Sequence, residues 1–247
     1  MNKTQQTFLV TTSWDDGHPL DLRVAELLSR YGLAGTFYIP RSSQKAVMHP
    51  SQIRELAEHF EIGGHTLDHI PIDGLSDSAA RAQIAGSRGW VEQLTGKSCS
   101  VFCFPGGKFR KRQLPFVQEA GYQAARTVEL LSMAQPRRIQ GLWMIPTTVQ
   151  AFPHGVEAYA RNALKRFPAS SAYWRCRWKL SRNWAALAND FFLHGMERGG
   201  VFHLWGHSWE IEEQEQWENL EAFLRIVSSY RANWKAVSNG GLCGLAV

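Results

Sequence analysis

The chain has 247 residues, 44% hydrophobic and 20% charged, enough to bury one sizeable core and unlike a disordered tail. No run approaches the roughly 20 apolar residues that cross a bilayer, and the polar start from Met1 to Gln6 leads into no apolar leader, which points to a cytoplasmic protein. Four cysteines are too few for a disulfide scaffold, and the net charge of +5 gives no overall bias toward nucleic acid, for which the chain carries no recognition motif.

Thr7 to Trp14 is rich in β-branched and aromatic residues and ends in the turn formers Asp15, Asp16 and Gly17, so it reads as a buried strand. A helix follows, opened by Pro19, spaced by Leu20, Val24, Leu27, Leu28 and Tyr31, and stopped by Gly32. Ala34 to Ile39 reads as a strand, Pro50 to Phe60 as a helix, Glu61 to Gly63 as a short strand, and Asp77 to Leu94 as a helix capped by Ser76. Ser98 to Phe104 reads as a strand, on which Cys99 and Cys103 would lie about 13 Å apart and cannot pair. Arg112 to Ala120 reads as a helix, Gln123 to Val128 and Trp143 to Val149 as strands.

Residues 158–189 hold seven Lys or Arg, no Asp or Glu, and the aromatic residues Tyr173, Trp174, Trp178 and Trp184. This stretch reads as a basic, aromatic helical insertion running on toward Arg198: either a solvated amphipathic face or a contact for an anionic membrane surface, at the inner face of the membrane. Val201 to Trp205 is a further strand, Glu212 to Tyr230 an acidic amphipathic helix, and a last strand starts near Trp234. Repeated strand–helix units imply a mostly parallel sheet. Seven or eight at this length favour a closed, single-domain α/β barrel over an open sheet.

Asp15 and Asp16 follow the first strand, His65 and His69 the third, Pro105, Gly106 and Gly107 the fourth, and His207 comes two residues after Val201 to Trp205. In a parallel barrel all of these strand ends lie on one face, where active sites are built. His65 and His69, four apart, suit two ligands on one metal if they share a helical turn, and a carboxylate would complete the set. Two adjacent carboxylates repel unless a cation separates their tasks, one ligating and the other accepting a proton from water.

The ordered motifs Ser13-Trp-Asp-Asp-Gly17, His65-Thr-Leu-Asp-His69, Phe104-Pro-Gly-Gly107 and His203-Leu-Trp-Gly-His207 resemble those of the polysaccharide deacetylases, the NodB-like group. The resemblance implies a distorted (β/α) barrel of about seven parallel strands and hydrolytic removal of an N-acetyl or similar N-acyl group from an amino sugar. The substrate would be a polysaccharide, an oligosaccharide or a lipid-linked glycan precursor. By the same resemblance Asp15 is the general base, Asp16, His65 and His69 hold a divalent transition metal (Zn2+ first, with Co2+, Ni2+ or Fe2+ as alternatives), Gly106 offers an oxyanion-binding amide, and His207 is the general acid.

The family's third motif carries an Arg where this chain has Cys103, and Arg126 is the replacement candidate for orienting Asp15. The Asp that usually partners the late His has no identifiable counterpart. His203 reads as structural, and His49, His59, His154 and His194 sit in no motif. Trp14, Trp205 and Trp209 flank the site and could stack on a sugar face. The motifs identify machinery more sharply than substrate, so a metal-dependent amidase of the same fold acting on a non-sugar C–N bond stays open. So does a catalytically silent carbohydrate- or membrane-binding module, although the intact motifs weigh against it. A two-histidine, one-carboxylate iron site shares the ligand types but would need neither the second Asp nor the late His.

Overall fold

The computed structural model describes residues 7–154 and 183–245. In its first half strand and helix alternate: β1 (Phe8–Asp15), α1 (Asp21–Tyr31), β2 (Thr36–Ile39), α2 (Pro50–His59), β3 (Glu61–Gly64), α3 (Asp77–Thr95), β4 (Val101–Cys103), α4 (Leu114–Glu119) and β5 (Ala124–Arg126). The boundaries follow local chemistry. Ser76 accepts a hydrogen bond from the Ala79 amide at the start of α3, and Gly32, left-handed at φ 70°, ends α1. Next come a tight hairpin, β6 (Arg137–Ile139) and β7 (Leu142–Ile145), and the two-residue β8 (Val149–Gln150). Then follow α5 (Trp184–Arg198), β9 (Gly200–Gly206), α6 (Ser208–Glu213), α7 (Trp217–Ser229), β10 (Lys235–Ala236) and α8 (Asn239–Leu242).

The strands form one ten-stranded sheet in the order β6-β7-β5-β4-β3-β2-β1-β9-β8, with β10 added beside β1. All pairings are parallel except β6 with β7. β7 and β8 stand near opposite ends of this path, yet only Pro146, Thr147 and Thr148 separate them in the chain. So short a link reaches about 14 Å at most, which forces the two edges together and curls the sheet into a distorted (β/α) barrel. Among the described residues the ladder itself stays open at this seam. Residues 129–133 bridge it with backbone bonds from Thr147 N to Glu129 O (2.9 Å), Leu131 N to Thr148 O (2.8 Å) and Val201 N to Met133 O (3.0 Å).

Three sequence expectations change. The apolar run Trp143 to Val149, read as one strand, is two strands near opposite ends of the sheet, because Pro146 has no N–H to continue a ladder. The helix expected over Glu212 to Tyr230 is two helices, broken where Glu215 is left-handed at φ 53°. Of the basic stretch 158–189, residues 158–182 lie outside the described residues. Trp184, within α5, is fully buried and donates to Gln216 Oε1 at 3.0 Å, so it packs in the core and is no surface contact. Among the described residues no helix is long and apolar enough to cross a membrane.

Side chains alternate along β1, so Thr11, Ser13 and Asp15 share one face, and all three are buried. At the N-terminal ends of the strands α8 closes the molecule. Asn239 bonds Thr11 and Tyr38 through its side chain and Thr36 through its amide, and Glu61 accepts from Thr36 and the Gly240 amide. The opposite face, at the C-terminal strand ends, collects the motif residues.

Candidate active site

β1 ends at Asp15, and the next two residues are left-handed, Asp16 at φ 78° and Gly17 at φ 63°. Only glycine serves at the second position, because a Cβ there would lie 2.5 Å from Ile39 Cγ2. The sharp turn gives the two adjacent carboxylates separate surroundings, Asp15 against Arg126 and Asp16 against two imidazoles.

His65 and His69 do converge, but not on a helical turn as their spacing suggested. Residues 65–69 are irregular, and left-handed backbone at Thr66 (φ 54°) and His69 (φ 53°) folds the two rings to a centroid separation of 5.0 Å. Nε2 of His65 lies 3.4 Å and Nε2 of His69 2.9 Å from Asp16 Oδ1. Atoms bound about 2.0–2.2 Å from a tetrahedral ion stand ~3.3 Å apart, so this donor set fits a single divalent cation. Asp16 Oδ1 is buried and makes no hydrogen bond, an orphaned acceptor that such a cation would satisfy. Two further contacts hold these side chains in place: Asp16 Oδ2 accepts from Trp209 Nε1 at 2.9 Å, and His65 Nδ1 lies 2.9 Å from the Cys103 carbonyl. With its proton on Nδ1, His65 presents a bare Nε2 to the site. Burial alone would raise the Asp16 pKa; when the neighbouring imidazoles carry positive charge they hold this carboxyl far below the usual range.

Asp15 is buried, and Arg126 Nη2 donates to both of its carboxylate oxygens. Cys103 and Arg126 are register partners on β4 and β5, so a cation absent from one strand is present at the facing position of the next. The Cys103 thiol keeps a longer contact to Asp15 Oδ2, 3.7 Å. Burial opposes ionisation of Asp15, and Arg126, helped by His65 and His207, overcomes it and holds the carboxyl below its ordinary value. The guanidinium itself is fully buried, stacked 4.6 Å from the Trp205 ring centre.

His207, directly after β9, brings Nε2 to 3.9 Å from Asp15 Oδ2 and 4.0 Å from Asp16 Oδ2. Its Nδ1 bonds Glu210 Oε2 at 2.6 Å. Burial pulls the imidazole pKa down, but Glu210 and the two aspartates outweigh it and raise it to about 9. Glu210 is the acid that the motif pattern left unassigned. Its signal was the i, i+3 spacing from His207, the extended residue just before α6, to the first turn of that helix. Asp21, also unremarked in the sequence, is fully buried at the start of α1, its carboxyl beside the Ser208 hydroxyl, and burial pushes its pKa well above the usual range.

Gly106, left-handed at φ 61°, is exposed just past β4 on the same face. His203 points into the barrel, its Nε2 2.9 Å from Ser13 Oγ and its Nδ1 2.9 Å from the Pro146 carbonyl, and burial depresses its pKa to about 3. It is a neutral structural residue. Trp14 is fully buried and unavailable to a sugar, and Trp205 is occupied by Arg126. Trp209 is half-buried and reaches Asp16.

Residues 2–125 match the polysaccharide deacetylase family model, a stretch holding Asp15, Asp16, His65, His69 and Gly106. YxkH of Bacillus subtilis (strain 168), provisionally named a polysaccharide deacetylase, is 26% identical over 124 residues, 49% of this chain and 44% of that protein, so the match spans under half of the curated relative's length. Two solved structures share the fold. A protein of Mycobacterium smegmatis, also provisionally named a polysaccharide deacetylase, aligns with TM-score 0.67 at 17% identity, over 95% of this chain and 88% of its own. The chitin deacetylase of the fungal pathogen Colletotrichum lindemuthianum aligns with TM-score 0.62 at 15% identity, over 98% of this chain and 89% of its own. With half of its length matched by the family model and its motif residues gathered at one end of the barrel, the chain belongs to the polysaccharide deacetylase family.

Proposed function

We propose that this protein is a metal-dependent hydrolase that removes an N-acetyl group from an amino sugar within a glycan. One observation carries the reading: the donor atoms of Asp16, His65 and His69 lie within 4.8 Å of one another, with Asp15 and the His207 Nε2 alongside. A divalent ion held by those three residues, Zn2+ or a transition metal of similar preference, would polarise the amide carbonyl and acidify water. Asp15, ionised and fixed by Arg126, accepts the proton of the attacking water. The Gly106 N–H donates to the oxygen that gains charge. His207 delivers a proton from Nε2 to the departing amine nitrogen, while Glu210 holds its Nδ1 side and favours the charged form. The acetylated-sugar assignment is supported by family membership and by the likeness to a chitin deacetylase.

The test is acetate release from N-acetylated glucosamine oligomers by metal-loaded protein, with metal content measured in parallel. His207→Ala is expected to lower kcat by about 100-fold or more while retaining the metal. Near-wild-type turnover would remove His207 from the mechanism. Absence of acetate, with ammonia or formate released from small amides instead, would favour an amidase acting on a non-sugar C–N bond.

A further inference from the structure

The residues after β4 carry four cations within five positions, Lys108, Arg110, Lys111 and Arg112, all exposed. Other cations nearby are neutralised: Arg41 pairs with Asp68 and Lys45 with Glu213, each at 2.7 Å, and Arg112 pairs with Asp77. Lys108, Arg110 and Lys111 form no ion pair among the described residues. Unpaired cations cost little at a surface, so their presence alone decides nothing; their position and anchoring do.

The segment leaves β4 at Cys103, whose carbonyl lies 2.9 Å from His65 Nδ1. The Lys108 side chain folds back over Gly106, with Cγ and Cε each 3.8 Å from where a Cβ on that glycine would stand. The backbone carrying these charges is pinned. Phe109 stacks on Phe104 at 4.1 Å, buried Gln113 donates to the Ile72 carbonyl at 2.6 Å, and the Arg110 amide donates to Gln113 Oε1 at 2.8 Å. A fixed segment therefore carries three positive charges without an ion pair, Lys108 folded over the proposed oxyanion-binding residue and Arg110 and Lys111 within five positions of it along the chain, and electrostatic attraction there acts on whatever extends from the reacting sugar.

We propose that Lys108, Arg110 and Lys111 form a subsite for an anionic group, phosphate or carboxylate, carried by the N-acetylated sugar. This inference rests on the deacetylase reading and narrows its substrate to negatively charged sugars or glycans.

Three probes separate the sources of charge: N-acetylchitotetraose is neutral, N-acetylglucosamine 1-phosphate carries phosphate, and a hyaluronan tetrasaccharide carries carboxylates. At low salt, kcat/KM for one charged probe is expected to exceed that for the neutral one by about tenfold, a preference that added salt erodes. Whichever charged probe is preferred identifies the group. In the triple variant Lys108→Ala, Arg110→Ala, Lys111→Ala that preference collapses toward one, through KM and not kcat. Equal kcat/KM for all three probes in the wild type, or a preference that survives the triple substitution, overturns the proposal. Titration calorimetry with the same probes needs no turnover. Should no probe release acetate, the deacetylase reading fails, while salt-sensitive binding lost in the triple variant still upholds the subsite.

Discussion

Cys103 and Arg126 face each other across β4 and β5, and the contact of Arg126 with both Asp15 oxygens shows how a charge can change strands and still reach the same carboxylate. Removing one partner of so buried a pair typically costs about 3–5 kcal/mol, because the other charge is left stranded. The His207–Glu210 contact is more exposed, and its consequence is better read in protonation than in stability. A general acid works only while protonated, so activity should fall as pH rises through the His207 pKa, near 9 with Glu210 in place. Glu210→Gln removes the hydrogen-bonded negative charge, and the basic limb of the pH–kcat profile is expected to move to lower pH, with kcat at neutral pH reduced about tenfold. An unmoved basic limb would assign that limb to another group. The linkage has the same sign: because the folded pKa is raised from 6.5, the pair stabilises the fold at acidic pH and loses that contribution as pH climbs through about 9.

The site is built from what happens just beyond strand ends, and the β1–α1 connection is its most constrained element. Gly17→Ala places a methyl against Ile39 at a left-handed position, so it is expected to cost about 1–3 kcal/mol in urea unfolding and, by displacing Asp16, to lower bound metal. Full metal occupancy in a destabilised variant would show that the turn supports the fold without positioning the ligand. These strand ends were legible in the sequence. Apolar runs ending in Asp-Asp-Gly, Gly-His and Pro-Gly-Gly revealed the strands and the face they serve, since strand ends of a parallel sheet share a side. The shape of the His65–His69 turn was hidden, because left-handed Thr66 and His69 are uncommon conformations that tertiary contacts impose; the Leu67 amide between them, for example, donates to the Gln83 carbonyl at 3.0 Å, and the Leu67 carbonyl accepts from the Arg41 amide at 2.8 Å. The split of Trp143–Val149 into β7 and β8 was hidden too, because a strand's place in the sheet is decided by long-range pairing and not by the apolar pattern.

The barrel separates the residues that hold it together from those proposed to react. Asp15, Asp16, His65 and His207 gather at one end, while Asn239, Thr36, Tyr38 and Glu61 knit α8 across the other. Asn239 satisfies three buried partners, so truncating it strands the Tyr38 and Thr11 hydroxyls and deletes bonds worth about 1 kcal/mol each. Asn239→Ala is therefore expected to lower unfolding free energy by about 2–3 kcal/mol, read as a shift in urea midpoint at constant m-value. The proposed metal donors are set by turns after β1 and β3 and share no hydrogen bond with Asn239, so bound metal per folded molecule should stay at the wild-type level. If metal occupancy falls together with stability, the two ends are coupled through β1, the strand that carries both Thr11 and Asp15.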